Sequence, residues 1–172
     1  MAAERLFFAL WPTAEVRDTL AAEVRALPGG AGRPHHPDDL HLTLVFVGGV
    51  AGDIRPCIEA AGDGAAAGSF QLRLDEAGYW HRPRIRWCRP SVAPSELLTL
   101  VDRLQAAMRR CGLEPEARPF RPHVTLARKA APLRSRPLSP PVTWDVDSFV
   151  LAASGSDTPP RYRMLRRWPL AG

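Results

Sequence analysis

The chain has 172 residues, 45% of them apolar, which is enough for one packed domain and excludes a disordered protein. Its formal net charge of +5 is compatible with an anionic ligand. Every basic residue except Lys129 is arginine, a bias that a GC-rich genome explains better than a dedicated nucleic-acid surface does. The chain has no uninterrupted apolar run of roughly 18 residues, so we expect no membrane helix. The first residues also lack a signal-peptide pattern, and we therefore expect a cytoplasmic protein.

The hydrophobic pattern predicts strands and helices along the whole chain. Apolar runs and period-2 alternation indicate the strands, and apolar stripes at helical spacing indicate the helices, with Thr13 and Ser95 as N-caps. The order favours an α+β fold with a mainly antiparallel sheet and helices outside, in a single compact unit over 1–172. In chain order we predict strand 5–10, helix 13–27, loop 29–39, strand 40–47, helix 53–67, strands 71–74 and 85–88, helix 94–111, strand 122–128, Pro-rich loop 130–141, strand 144–152, turn 155–160 and strand 161–168.

The three cysteines, Cys57, Cys88 and Cys111, are far apart, odd in number and without a Cys-x-x-Cys pair. This spacing favours neither a disulfide framework nor a zinc knuckle. We therefore expect three free thiols without a chemical role.

A motif of four residues occurs twice. His41-Leu42-Thr43-Leu44 recurs as His123-Val124-Thr125-Leu126, each time in a predicted strand. Because residues i and i+2 of a strand face the same side, each copy presents one imidazole and one hydroxyl on one face and two apolar side chains to the core. Two such strands across a cleft would offer two imidazoles and two hydroxyls to one small ligand.

That set of groups suits hydrolysis of a cyclic phosphodiester without a metal. One histidine removes a proton from water and the other donates a proton to the leaving ribose oxygen, tasks that suit an unperturbed imidazole pKa of about 6.5. The threonine hydroxyls can donate hydrogen bonds to phosphate oxygens, which gain charge in the transition state. The alternative is two unrelated structural histidines, which one His-x-Thr motif would suggest but two copies disfavour.

The chain resembles the two-histidine (2H) phosphoesterases, which are defined by paired His-x-Thr-x motifs. Within them it is similar to the bacterial and archaeal RNA 2′,3′-cyclic phosphodiesterases, once named 2′-5′ RNA ligases. The similarity spans nearly the whole chain and is carried by segments 5–10, 40–48, 118–128 and 162–170. It implies a bilobal fold of two related α+β halves, with mainly antiparallel sheets lining a central cleft. It also implies hydrolysis of RNA 2′,3′-cyclic phosphate ends to 2′-phosphomonoesters, with no cofactor.

The resemblance also implies roles for single residues. By motif position His41 would be the general acid and His123 the general base, an assignment that the sequence itself leaves open. Arg128 directly follows the second motif and is expected to bind phosphate, with a solvated surface arginine as an equal alternative. Phe8 and Tyr162 are expected to line the nucleotide pocket, and core packing is the favoured alternative for Phe8.

His35 and His36 precede the first motif and, with His41, suggest a metal site as an alternative. Because the pair lies in a predicted loop without the closed spacing of metal ligands, we favour a site without metal. Asp38 and Asp39 are expected to be turn or solvated residues.

The same groups leave other functions open. A 2′-5′ RNA ligase, or a phosphodiesterase acting on 2′-5′ linkages or on a small cyclic nucleotide, would share this chemistry. A module that binds RNA ends or nucleotides without turnover is the third possibility, which the intact acid–base pair disfavours. The expected partners are RNA 2′,3′-cyclic phosphate ends or cyclic nucleotides, and we expect a monomer without a membrane partner.

Overall fold

A computed structural model describes residues 3–30 and 32–172. Within them nine strands form one sheet with antiparallel strand pairings and three α-helices pack against it, which confirms the predicted fold class. The strands are β1 (Glu4–Leu10), β2 (Arg33–Pro34), β3 (Leu42–Val50), β4 (Phe70–Trp80), β5 (Ile85–Arg89), β6 (Val124–Arg128), β7 (Arg136–Val146), β8 (Ser148–Ser154) and β9 (Tyr162–Pro169). The helices are α1 (Ala14–Arg25), α2 (Arg55–Gly64) and α3 (Ser95–Arg110), with short 3-10 turns at Pro37–Asp39 and Gly52–Ile54.

The helices bury their apolar stripes in one core together with the even-numbered residues of the two motifs. Thr13 caps α1 as predicted, because its hydroxyl oxygen accepts the N–H of Val16 at 3.3 Å. Ser95 does not cap α3: Pro94 occupies that position, and the Ser95 hydroxyl donates to Glu96 instead. No helix of the described ranges is both long and apolar enough to cross a membrane. The shared core includes Val16 and Leu20 of α1, Ile58 of α2, Leu100 and Leu104 of α3, and Leu42, Leu44, Val124 and Leu126 of the motifs.

The Pro-rich segment is a strand where a loop was predicted. Proline has no N–H to donate to a neighbouring strand, and the pattern at 130–141 therefore favoured a loop. However, β7 lies at the edge of the sheet, in the order β7-β4-β5-β6-β3-β1-β8-β9, and its register with β4 breaks between Leu74 and Glu76. Edge positions and register breaks are where a sheet tolerates proline.

Two of the three cysteines are paired, contrary to the prediction. Cys57 on α2 and Cys111 directly after α3 form a disulfide with a Cα–Cα distance of 5.9 Å. They are 54 residues apart in the chain and meet only because α2 packs on α3, which the spacing of cysteines does not reveal. Cys88 is a free thiol buried in β5, and burial raises its pKa to about 12.

The two strands that carry the motifs are neighbours in the middle of the sheet. β3 and β6 pair at Leu42 and Val124, which occupy the same position in the two copies; we call them the central pair. Each copy has a one-residue bulge against its outer neighbour, because the pairing of β3 with β1 skips Leu44 and the pairing of β6 with β5 skips Leu126. The same local geometry thus occurs twice about the central pair, as two related halves would produce.

Candidate active site

The four polar residues of the two motifs share one face of the sheet. Both residues of the central pair are fully buried, so the residues on either side of each project to the opposite face. Extending the antiparallel register of the central pair by one residue places His41 opposite Thr125 and Thr43 opposite His123. The two imidazoles are therefore diagonal neighbours, each next to the hydroxyl of the other copy.

Hydrogen bonds fix the His41 ring at both nitrogens. Its Nδ1 lies 2.7 Å from the carbonyl oxygen of Asp39, and its Nε2 lies 3.1 Å from the hydroxyl of Thr43. A carbonyl oxygen only accepts, so Nδ1 carries the proton and Nε2 of the neutral ring accepts from the hydroxyl. Burial lowers the pKa of His41 to about 4, and the positive charge of Arg128 adds to this effect. His41 is therefore neutral at pH 7 in the free protein.

His123 is held in the same way but keeps one nitrogen open. Its Nδ1 donates to the carbonyl oxygen of Arg121 at 2.8 Å, so in both copies the acceptor is the carbonyl two residues before the histidine. Among residues 3–30 and 32–172, Nε2 of His123 has no hydrogen-bond partner. Burial lowers the pKa of His123, and the charges of Arg128, Arg121 and Arg89 lower it further. The site thus contains a neutral imidazole with a free lone pair.

Arg128 lies within electrostatic range of both motif histidines. Its side chain is exposed at the end of β6, yet its charge lowers the pKa values of His41 and His123. An exposed guanidinium at this position has free donors in a planar fork that matches phosphate oxygens. Its location fits the predicted phosphate-binding role.

Aromatic rings surround His41. Trp11 stacks on the imidazole with a centroid distance of 5.1 Å and an interplanar angle of 6°. Tyr162 at the start of β9 contacts it edge-on at 5.0 Å, and Phe7 of β1 lies at 5.0 Å. Tyr162 thus contacts His41, and its role in lining a nucleotide pocket stays a prediction. The sequence pattern did not indicate Trp11 and Phe7, because the continuous apolar run of β1 does not show which of its faces is the core.

Phe8 does not reach the site. It is 0% exposed and packs against Phe149 and Trp168 in the core. Because side chains alternate along β1, Phe7 faces His41 and Phe8 faces the core. The expectation that Phe8 lines a nucleotide pocket is therefore wrong, and its core-packing alternative is correct.

The two histidines before the first motif point to different environments. His36 is exposed, and its Nδ1 accepts the N–H of Asp38 at 3.2 Å. The backbone N–H of His35 donates to Leu126 at 2.9 Å, and burial lowers the pKa of its ring to about 3. In the described part of the chain, no group of three or more His, Cys, Asp or Glu side chains is placed to hold a metal ion. His35, His36 and His41 therefore do not form a common ligand set.

Asp39 lies in the predicted turn but is not solvated. It is only 3% exposed, and its carboxylate accepts the N–H of Arg161 at 2.9 Å from both oxygens and the N–H of Tyr162 at 3.2 Å. The same residue accepts from His41 through its backbone carbonyl. Asp39 thus connects the start of β9 to the first motif, which no local pattern in the sequence indicates.

Comparisons with known proteins identify the family of the chain. A family model described as the 2′-5′ RNA ligase superfamily matches residues 12–158. The chain is 36% identical over 171 residues to the RNA 2′,3′-cyclic phosphodiesterase of Escherichia coli (strain K12), covering 97% of each chain. It is 34% identical over 185 residues to the protein of the same name from Thermus thermophilus, covering 98% of this chain and 91% of the relative.

The fold is also shared with a solved structure. The crystal structure of E. coli LigT complexed with 3′-AMP superposes with a TM-score of 0.90 and 35% identity, covering 99% of each chain. Since the family match includes both motifs, the chain belongs to the 2′-5′ RNA ligase superfamily, that is, to the two-histidine phosphoesterases.

Proposed function

We propose that this protein hydrolyses RNA 2′,3′-cyclic phosphate ends to 2′-phosphomonoesters, with His41 as general acid and His123 as general base. The observation that carries the proposal is the common face of two imidazoles and two hydroxyls about the central pair. The relatives named RNA 2′,3′-cyclic phosphodiesterase support the choice of substrate.

The phosphate would be held between the motifs. The hydroxyls of Thr43 and Thr125 donate to its non-bridging oxygens, and the guanidinium of Arg128 offsets their charge. Since the imidazoles are diagonal neighbours, the attacking water and the leaving 3′ oxygen occupy opposite sides of the phosphorus. This arrangement suits in-line displacement. Because the site already holds the reactants in position, the reaction carries little further entropic cost.

The free lone pair of His123 suits it to the base role. It takes a proton from the attacking water at Nε2, while Nδ1–H stays bonded to the carbonyl of Arg121 at 2.8 Å. That bond keeps the ring oriented and stabilises the imidazolium once it forms. His41 already accepts a hydrogen bond at Nε2, so it is less available as a base.

His41 must gain a proton before it acts as an acid. Its pKa of about 4 leaves it neutral in the free protein, but an anionic phosphate beside it favours the charged form and offsets the charge of Arg128. Once Nε2 is protonated, the Thr43 hydroxyl can no longer donate to it and is released to donate to the phosphate. Substrate binding, protonation of His41 and engagement of Thr43 are therefore coupled.

The test is hydrolysis of a nucleoside 2′,3′-cyclic phosphate by the His41→Ala and His123→Ala variants. Each acid–base step contributes on the order of 10² to 10⁴ in rate, so each variant is expected to lose at least about 100-fold in kcat. His36→Ala is the matched control, because His36 is exposed and bonded to its own turn. Normal turnover by either motif variant would refute the proposal, and so would a requirement for added metal after chelation.

Analysis of the products distinguishes the proposed hydrolysis from the alternative functions. A 2′-phosphate product supports hydrolysis, whereas joining of an added 5′-hydroxyl oligonucleotide would show that an alcohol replaces water beside His123. Tight binding of the cyclic nucleotide without any product would instead indicate a binding module.

A further inference from the structure

We propose that the surface beside His123 is a second nucleotide subsite, which binds the nucleotide next to the cyclic phosphate in an RNA chain. The inference rests on the proposed function and deepens it: the preferred substrate is an oligonucleotide end and not a free mononucleotide. The subsite consists of the Trp80 ring, the Arg121 guanidinium stacked on it, and the open pocket that Arg121 lines.

Arg121 and Trp80 form a flat cationic surface at the edge of the active site. The guanidinium carbon of Arg121 lies 4.0 Å from the centroid of the Trp80 ring, and the Trp80 ring lies 4.6 Å from the imidazole of His123, at an interplanar angle of 72°. Arginine planes and tryptophan rings are surfaces on which nucleobases stack. The stack therefore extends the site outward from His123.

The charge of Arg121 is available to a ligand. Its side chain is exposed, and it makes no salt bridge with any residue in the described ranges. The neighbouring Arg89 differs: it donates to both carboxylate oxygens of Glu76, at 3.0 and 3.4 Å, while lying 4.4 Å from the Trp87 ring. Because Arg89 neutralises Glu76, the surface keeps the positive charge of Arg121, which favours a phosphodiester.

Arg121 also lines an open pocket of about 320 Å³. Its volume is at the lower end of the range for small-ligand sites, which fits one nucleoside better than a larger group. Arg121 and Pro122 line the pocket and immediately precede His123 in the chain, so the pocket adjoins the backbone segment that leads into the second motif. The pocket is lined by Glu76, Arg89, Ser91, Phe120, Arg121 and Pro122.

The opposite side of the active site has different chemistry. There Trp11, Phe7 and Tyr162 enclose His41 with aromatic rings. An enclosed aromatic side suits the nucleoside that bears the cyclic phosphate, whereas an exposed arginine beside a pocket suits a further, charged nucleotide. The aromatic side would thus bind the terminal nucleoside of an RNA chain, and the side with Arg121 would bind the nucleotide before it.

The test compares two substrates in each protein: a dinucleotide that ends in a 2′,3′-cyclic phosphate and the corresponding mononucleoside 2′,3′-cyclic phosphate. The wild-type protein is expected to have the higher kcat/KM with the dinucleotide. Arg121→Ala is expected to lower the dinucleotide-to-mononucleotide ratio of kcat/KM about tenfold, the effect of losing one stacking contact. The backbone carbonyl that holds His123 remains in this variant. Arg118→Ala is the matched control, because Arg118 is an exposed arginine of the same loop that pairs with Glu116, and its ratio should equal that of the wild type.

Two further measurements exclude a merely structural effect. If Arg121 binds a phosphodiester, the slope of log kcat/KM against log salt for the dinucleotide should become shallower by about 0.7 in Arg121→Ala. Ala93 also lines the pocket, so Ala93→Trp should fill it without a change of charge and raise KM for the dinucleotide more than for the mononucleotide.

Three outcomes would overturn the subsite: equal kcat/KM for the two substrates in the wild type, an unchanged dinucleotide-to-mononucleotide ratio in Arg121→Ala, or an equal rise of KM for both substrates in Ala93→Trp. Failure of the wild type to hydrolyse either substrate would overturn the proposed function as well, so the two failures are distinguishable.

Discussion

His41 and His123 occupy equivalent positions in the two copies of one motif, but they have different surroundings. In both copies Nδ1 donates to the carbonyl two residues earlier, and a bulge follows the threonine. His41, however, is bonded at Nε2 and enclosed by aromatic rings. Nε2 of His123 has no hydrogen-bond partner within residues 3–30 and 32–172, and its ring contacts Trp80, on which Arg121 stacks. The repeated motif therefore determines where the two imidazoles lie, and in the proposed mechanism their unrepeated neighbours decide which one is the acid and which the base.

Replacing Arg128 should affect the surroundings of His41 and of His123 equally. Its charge acts on both imidazoles and, in the proposed mechanism, on the phosphate itself. Loss of one preorganised donor to a transition-state oxyanion costs about 10² to 10³ in rate, so Arg128→Ala should lose at least about 100-fold in kcat/KM. Since the guanidinium lowers both pKa values, NMR titration of the variant should show both imidazole pKa values higher than in the wild type. An effect on one histidine alone would place Arg128 on one side of the site.

The pH dependence of kcat/KM tests the two environments together, because it reports the acid and the base of the free protein. The productive form has one protonated and one neutral imidazole. Since burial lowers the pKa of His41 to about 4 and also lowers that of His123, kcat/KM should be highest below pH 6.5. Above that it should fall by up to about tenfold per pH unit. A profile that rises between pH 6 and pH 8 would contradict these environments.

Asp39 should affect the His41 side alone. Asp39→Ala removes the acceptor of two partly buried backbone N–H groups and should release Tyr162 from His41. We expect about a tenfold loss of kcat. Asp39→Asn keeps an acceptor oxygen and should restore most of that loss. Because the Asp39 charge raises the pKa of His41, Asp39→Asn should also lower the His41 pKa measured by NMR titration, which a purely structural role would not do. Asp38→Ala is the control, since Asp38 is an exposed neighbour in the same turn.

Removing the disulfide should change neither the surroundings of His41 nor those of His123. Cys57 and Cys111 join α2 to the end of α3, away from the polar face of the motifs, so Cys57→Ser should keep wild-type kcat and KM. A native disulfide typically contributes about 2–4 kcal/mol, and urea unfolding under non-reducing conditions should show a loss of that size. Changed kinetics would show that the two helices position the motifs.

Local sequence patterns predicted the parts of the molecule that depend on neighbours in the chain. Alternation around His41 and His123 placed four polar groups on one face, and helical spacing identified the buried stripe of α3. Alternation failed for Phe7 and Phe8, because a continuous apolar run does not show which face is the core. The remaining features, such as the disulfide and the bonds of Asp39 to β9, join residues that are distant in sequence and meet only in the folded chain.

The pairing of Asp39 with β9 has a consequence for how the protein matures. Both histidines are synthesised before residue 124, but the donors that satisfy the buried Asp39 carboxylate belong to Arg161 and Tyr162. A nascent or proteolysed chain that stops short of them would hold the complete acid–base pair beside an unsatisfied anion, which is costly to bury. Competence for chemistry would therefore arrive only when β9 docks against the first motif.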